Sequence, residues 1–329
     1  MNLADTRFMR IPDFNDFLLA RRRLRERLAP TPLLSYPALD ELTGVRVLIK
    51  HENLQPIGAF KVRGGLTLLS TMNESDRARG VVTYSTGNHA QSMAYAARAF
   101  GVPCVISMPA NPNPVKAAAV RRLGAELITE GADLEGAREH AEAIASQRGM
   151  RLVSAANEPD LIAGVATTYV ELCETAPGLD AVIVPVGSGT GAAAACLTIA
   201  TMNPTCQVIA VQSSASPAAH DSWREGHCVR RPNKTVAEGL ATGEGFTLPQ
   251  EILRDRLTDF LLVDDAEIQQ AQWRLMSVAR TVAEGAGAAA MAALWKSREQ
   301  LAGRKVAIIC SGGNASQSEL RDCLTSAAM

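Results

Sequence analysis

Short apolar runs alternate with helix-length stretches along this chain, and that alternation limits its fold more than any other feature. "VRVLIK" (45–50), "GVVTYS" (80–85), "VPCVISMP" (102–109), "AELIT" (125–129), "DAVIVPV" (180–186), "CQVIAVQ" (206–212) and "RKVAIIC" (304–310) read as strands. Between them, "NHAQSMAYAARAFG" (88–101), "PVKAAAVRRLG" (114–124), "ADLEGAREHAEAIASQRG" (132–149) and "NEPDLIAGVATTYVELCE" (157–174) have helical length and spacing. Apolar residues recurring every three to four positions favour a helix, and short apolar runs favour buried strands. Strands alternating with helices predict an α/β fold, with parallel sheets covered by helices on both faces.

The bulk numbers exclude several classes. A length of 329 residues fits one large or two ordinary domains. A net charge of −1 argues against nucleic acid or an acidic membrane surface as partner. Aromatics at 4% leave little for base stacking. No run approaches the roughly 18 apolar residues of a membrane helix, and "MNLADTRFMRIPDFNDF" lacks the apolar core of a secretory signal. Cysteines 104, 173, 196, 206, 228, 310 and 323 form no C-x-x-C pair and read as reduced thiols of a cytoplasmic protein. No regulatory domain is expected after "CSGGN" (310–314).

Four loops carry candidate chemistry. In "NLQPIGAFKVRGG" (53–65), Lys61 follows an apolar run, with Arg63 nearby and no acid from Asn53 to Met72. It is either a surface lysine or an amine whose pKa a dry site and Arg63 depress, ready to condense with an aldehyde. "STGNHAQ" (85–91) is a turn, with Asn88 as its helix cap, or a carboxylate or phosphate site made of backbone N–H groups. His89 in that first turn reads as structural. "VPVGSGTGAAAA" (184–195) is a tight strand–helix turn or a phosphate cradle. It lacks the G-K-[ST] of a nucleotide loop. "QVIAVQSSA" (207–215) offers no acid for a ribose, which counts against a nicotinamide oxidoreductase. "CSGGN" is an ordinary turn or places Ser311 at a strand's carboxyl end, where open α/β sheets bind ligands. An aldehyde with a phosphate arm and an aromatic ring, as in pyridoxal phosphate, would meet all four.

"GAFKVRGG", "STGNHAQ", "VGSGTG" and "CSGGN", in this order and spacing, resemble the fold type II pyridoxal-phosphate enzymes. "TPLLSYPALDELTG" (31–44) and "NEPDLIAGVATTYVEL" (157–172) are similar to the serine/threonine dehydratase (threonine ammonia-lyase) and serine racemase branch. The resemblance covers roughly residues 16 to 320. It implies a tryptophan synthase β-like two-domain fold, with 1–69 plus 159–329 as the large cofactor domain and 70–158 as the small one. It implies that Lys61 carries pyridoxal 5'-phosphate and removes the α-proton. Phe60 would shape the ring's surroundings, and Asn88 would bond the phenolic oxygen. Ser85, Thr86, Gly87, Asn88 and His89 would hold the substrate carboxylate, mainly by backbone N–H groups. Gly187, Ser188, Gly189, Thr190 and Gly191 would form the phosphate cup. Ser311 would face the ring nitrogen and leave it neutral, and Glu284 would lie near the ring or the substrate amine.

The implied activity is loss of water and then ammonia from an L-β-hydroxy amino acid, threonine, serine or a bulkier relative, to give a 2-oxo acid. The implied partner is that small amino acid, and the implied assembly is a homodimer or homotetramer. Alternatives are a hydroxyectoine-utilisation dehydratase, a serine racemase and a β-replacement transferase. Some positions depart from the family pattern. Ala59 and Gly65 are smaller than usual and would open the pocket or ease helix packing. Thr86 carries a hydroxyl, as racemases need, but a stiffer one. Gln212 and Ala218 stand where many relatives hold a divalent cation with carboxylates, so no metal is expected, although Asp221 is close by. In "NKTVAEGLATGEG" (233–245), Glu238 and Gly239 are expected near the ring.

Overall fold

The computed structural model describes residues 10–112 and 114–326; the first nine residues, part of the segment read for a signal, lie outside them. Its strands are β1 (Leu33–Ser35), β2 (Arg46–His51), β3 (Val81–Tyr84), β4 (Cys104–Met108), β5 (Glu126–Thr129), β6 (Arg151–Leu152), β7 (Ala181–Pro185), β8 (Gln207–Ser213), β9 (Asp259–Val263) and β10 (Lys305–Cys310). The chain packs as two units. One holds residues up to Leu28 and Lys61–Val165, the other Ala29–Phe60 and the chain from Ala166.

The first unit is built on a four-stranded sheet in the order β5-β4-β3-β6, every pair parallel. β3 is therefore interior, and the Ser85–His89 loop leaves its carboxyl end. The helix Lys61–Thr71 packs here against the helix Asn88–Phe100. A Cβ on Gly65 would lie 2.4 Å from Ser92 Oγ and 2.8 Å from its carbonyl oxygen. Of the two explanations for Gly65, close helix packing is the one the structure supports. All but the last two residues of this helix lie outside the 70–158 span expected for the smaller domain, and the second cut falls inside the helix Pro159–Thr175.

The second unit holds a six-stranded sheet, β1-β2-β10-β7-β8-β9, parallel except for β1 against β2. Every residue of β7, "AVIVP", is buried. Ala181 and Ile183 join the core cluster that includes Ala288, Met291 and Leu294 of the helix Gly285–Lys296. Strand side chains alternate between faces, so Val184 points the other way. Its Cγ1 lies 3.5 Å from the position of a Cβ on Gly191, in the helix Thr190–Met202. Helices thus cover both faces of this sheet. That double cover explains why its strands read as unbroken apolar runs. Each buried Val or Ile contributes about 1.5–3 kcal/mol.

Candidate active site

Lys61 opens its helix, with no acid in the first turn. Ser92 Oγ donates to its carbonyl at 2.6 Å, and its own Nζ donates to the Ala155 carbonyl at 3.3 Å. The residue is half-buried. That burial lowers its pKa from 10.5 to about 7. Burial is the whole cause, so Arg63 does not share the role expected for it. Residues two apart on a helix point away from one another, and Arg63 is itself buried. The shift has a kinetic consequence. Borohydride trapping of a small aldehyde on Lys61 is expected to rise through about pH 7 and level off by about pH 8.5. Ordinary lysines, with pKa values near about 10.4, would still be rising there. Mass spectrometry of the Lys61 peptide across pH checks this.

The cap of the helix Asn88–Phe100 is Gly87, and no side chain caps it. Asn88 is the first helical residue, not the expected cap, and the glycine cap offers no side chain to the first-turn N–H groups. A helix start of this kind suits a carboxylate. Ser85 Oγ accepts the Gly87 N–H at 3.2 Å and shapes the turn, and Thr86 is half-buried between them. A Cβ on Gly87 would meet nothing within 4 Å, so open space adjoins it. His89 is buried, with Nε2 3.0 Å from Thr83 Oγ1. Thr83 gives its one proton to the Val153 carbonyl at 2.7 Å, so Nε2 must be the donor. Burial first, and then the charge of Lys61, lowers the His89 pKa to about 3. The ring is a neutral structural group, which leaves only the His89 backbone for a ligand.

In the second unit, the Phe60 N–H donates to the Ser311 carbonyl at 3.0 Å, and Ala59 bridges to Gly312. Ala59 is fully buried in that bridge. Ser311 follows β10, is buried, and donates to the Ala286 carbonyl at 3.3 Å. The buried Glu284 sends its N–H to the Gly312 carbonyl at 3.1 Å. Burial and the charges of Glu284 and Glu52 push the Cys310 thiol far up, so it is inert.

After β7 comes the glycine loop. Gly189 caps the helix Thr190–Met202 at φ +93, a conformation glycine adopts without strain. The backbone of Gly239 approaches so closely that its oxygen would lie 2.2 Å from a Cβ on Gly187. Ser188 is half-buried and Thr190 is buried. A small cavity is lined by Phe60, Thr168, Tyr169, Gly191 and Ser311. Thr168, whose buried hydroxyl has no partner among the described residues, and Tyr169 went unnoticed in the sequence, where they fall in a stretch read as a helix. Gly239, expected near the ring, lies against this loop at Gly187. At the possible cation position, Gln212 accepts two backbone N–H groups, while Asp221 pairs with Arg231 at 2.6 Å and with His220 at 2.9 Å. Among the described residues, no group of three or more His, Cys, Asp or Glu could hold a metal ion.

Lys61 and Ser85–His89 thus gather in one unit; Phe60, Gly187–Gly191, Glu284 and Ser311 gather in the other. Phe60 and Lys61 are consecutive in the chain. Residues 24–312 match the family model described as "Pyridoxal-phosphate dependent enzyme". An L-threonine ammonia-lyase of Thermotoga maritima is 38% identical over 91% of this chain and 75% of the relative. A beta-hydroxyaspartate dehydratase of Paracoccus denitrificans is 35% identical over 95% of this chain and 99% of the relative. Among solved structures, the processed form of threonine deaminase isoform 2 from Solanum lycopersicum aligns with a TM-score of 0.89. It is 25% identical and covers 97% of this chain and 95% of that one.

Proposed function

This chain belongs to the pyridoxal-phosphate-dependent enzymes, and we propose that within them it is an ammonia-lyase acting on an L-β-hydroxy amino acid of the threonine or serine type. The products are a 2-oxo acid and ammonia. The observation that carries this reading is the Lys61 amine, held by burial near pKa 7 at the start of a helix. The activities named for the two relatives above support it, because both are eliminations from β-hydroxy amino acids.

The residues fit pyridoxal phosphate on three structural grounds. The amine is poised to condense with an aldehyde. The Gly187–Gly191 loop opens a helix, with a positive φ at Gly189. Ser311 and the partnerless Thr168 hydroxyl line a cavity beside Phe60. The bound cofactor would supply an electron sink for the α-carbon. Lys61 would hold it and move the proton at the α-carbon, a task matched to a pKa near the working pH. The helix start at Gly87–His89 would take the substrate carboxylate, with Ser85 and Thr86 shaping that turn. Backbone N–H groups of Gly187, Ser188, Gly189, Thr190 and Gly191 would take the phosphate. Phe60 would pack on the ring, and Asn88 would bond its phenolic oxygen. Ser311 would meet the ring nitrogen with a hydroxyl that carries no charge, and Glu284 would border the site.

No described helix is long and apolar enough to cross a membrane. The seven thiols, all free, support a reducing, cytoplasmic setting. We take the assembly to be a homodimer or homotetramer.

Ammonia and 2-oxo acid release by cofactor-loaded protein tests the activity. L-Threonine, L-serine, phenylserine and threo-3-hydroxyaspartate make a sufficient panel. Turnover of at least one is expected. If none turns over while the cofactor stays bound, the lyase reading falls. D-Serine formed from L-serine without ammonia would instead favour a racemase that uses the Thr86 hydroxyl.

A further inference from the structure

We infer that the Gln212 carboxamide and the Thr242 hydroxyl form a positioning relay that fixes the Gly187 carbonyl, and with it the Gly187–Gly191 loop, to the start of the helix Ala218–Glu225. The inference rests on the reading of that loop as the phosphate site.

Gln212 lies in β8 and is fully buried. The N–H groups of Ala219 and His220 point at one end of its amide, at 3.1 and 3.0 Å. Two donors require an acceptor, so that end is Oε1. Nε2 then faces Thr242 Oγ1, 3.4 Å away, and donates to it. With one lone pair engaged by Nε2, the hydroxyl turns its single proton to the Gly187 carbonyl at 3.2 Å. Each group is used in one direction only: helix N–H to amide oxygen, amide N–H to hydroxyl, hydroxyl to carbonyl.

A second tie supports the same geometry. The Arg231 N–H donates to the carbonyl of Gly243, the residue after Thr242, at 2.9 Å. The Arg231 guanidinium in turn pairs with Asp221 of the helix Ala218–Glu225. Thr242 is therefore tied to that helix through Gln212 and again through Arg231. Gly239, three residues before Thr242, closes on Gly187 from the same segment.

A glutamine that served only as a cap for the helix would tolerate glutamate, whose oxygen accepts the same two N–H groups. A relay would not. The carboxylate introduced by Gln212→Glu would offer Thr242 an acceptor stronger than an amide carbonyl. The hydroxyl proton would turn to it, and Gly187 would lose its donor.

The test is titration of apoprotein with pyridoxal phosphate, followed by absorbance, with thermal unfolding measured in parallel. Gln212→Glu and Thr242→Val are each expected to weaken binding about five- to tenfold, the worth of one intramolecular hydrogen bond. The double variant should be no worse than the weaker single, because both break one chain of bonds. Thr242→Ser, which keeps the hydroxyl, should bind like the unaltered protein. If Gln212→Glu binds normally, or the two losses multiply in the double variant, the relay is wrong. If the unaltered protein takes up no cofactor, the phosphate-site reading fails and the relay falls with it.

Discussion

Lys61→Ala is expected to abolish covalent attachment of the cofactor and to cut ammonia release by at least about 10⁴-fold. Two separate losses combine. The amine is the attachment point, and the methyl group of alanine cannot form that bond. It is also the proposed proton carrier at the α-carbon, a role worth roughly 10²–10⁴-fold by itself. His89 cannot stand in, since its ring is buried, bonded to Thr83 and neutral down to about pH 3. The fold should survive, because the substitution relieves an amine whose burial lowers its pKa. Absorbance of the bound cofactor, ammonia release and thermal unfolding of the variant check the three parts together. A variant that still releases ammonia within about 10²-fold would show that another group moves the proton.

The second large effect belongs to Gly187→Ala. Its Cβ would sit 2.2 Å from the Gly239 carbonyl oxygen, a backbone atom with no rotamer to escape into. Overpacking of this kind costs about 1–3 kcal/mol, or a melting temperature lower by very roughly 2–4 °C for each kcal/mol. The glycine loop must also shift, and the N–H groups proposed for the phosphate shift with it. Charge-assisted bonds of that sort are worth about 1.5–3 kcal/mol each, so cofactor affinity should fall at least about tenfold. Gly191→Ala is the control for stability. There a Cβ would meet Val184 at 3.5 Å and Phe60 at 3.7 Å, ordinary contacts, and the melting temperature should hold. Calorimetry and cofactor titration on both variants separate packing from binding. Equal melting temperatures for the two would contradict the close approach of Gly239.

The main strands were legible because the large sheet is covered on both faces. β7, β8 and β10 are apolar runs that no loop of this composition would carry, and β2 alternates like a strand. β1, β6 and β9 were missed, and all three are edge strands. β1 has three residues, none fully buried. β9 reads "DFLLV", short enough to be taken for the end of a helix. The special character of Lys61 was visible as a lysine in an acid-free apolar stretch. Its cause was half visible, since burial acts and Arg63, two positions along a helix, does not. The Asn88 cap was misplaced by one residue, because Gly87 lacks the side chain by which a cap is recognised. The contacts of Ala155 and Thr242 gave no signal, because each reaches its partner, Lys61 or Gly187, through folding of distant segments. Thr168 lies in a stretch read as a helix, and only the fold sets it at the cavity.

β10 supplies a different kind of consequence. It lies between β2 and β7, pairing Lys305 with Arg46 and Val306 with Ala181. A ribosome releases β2 early and β10 near the end of the chain. Until then β2 and β7 have no common neighbour, and each waits with an open edge. The four-stranded sheet, confined to residues 81–152, can close much sooner. Long-range pairing of this sort is slow and leaves strand edges exposed to aggregation. The Ser311 end of the site is therefore the last part to be assembled during synthesis, and a nascent chain stalled before residue 305 carries the unfinished six-stranded sheet as its vulnerable surface.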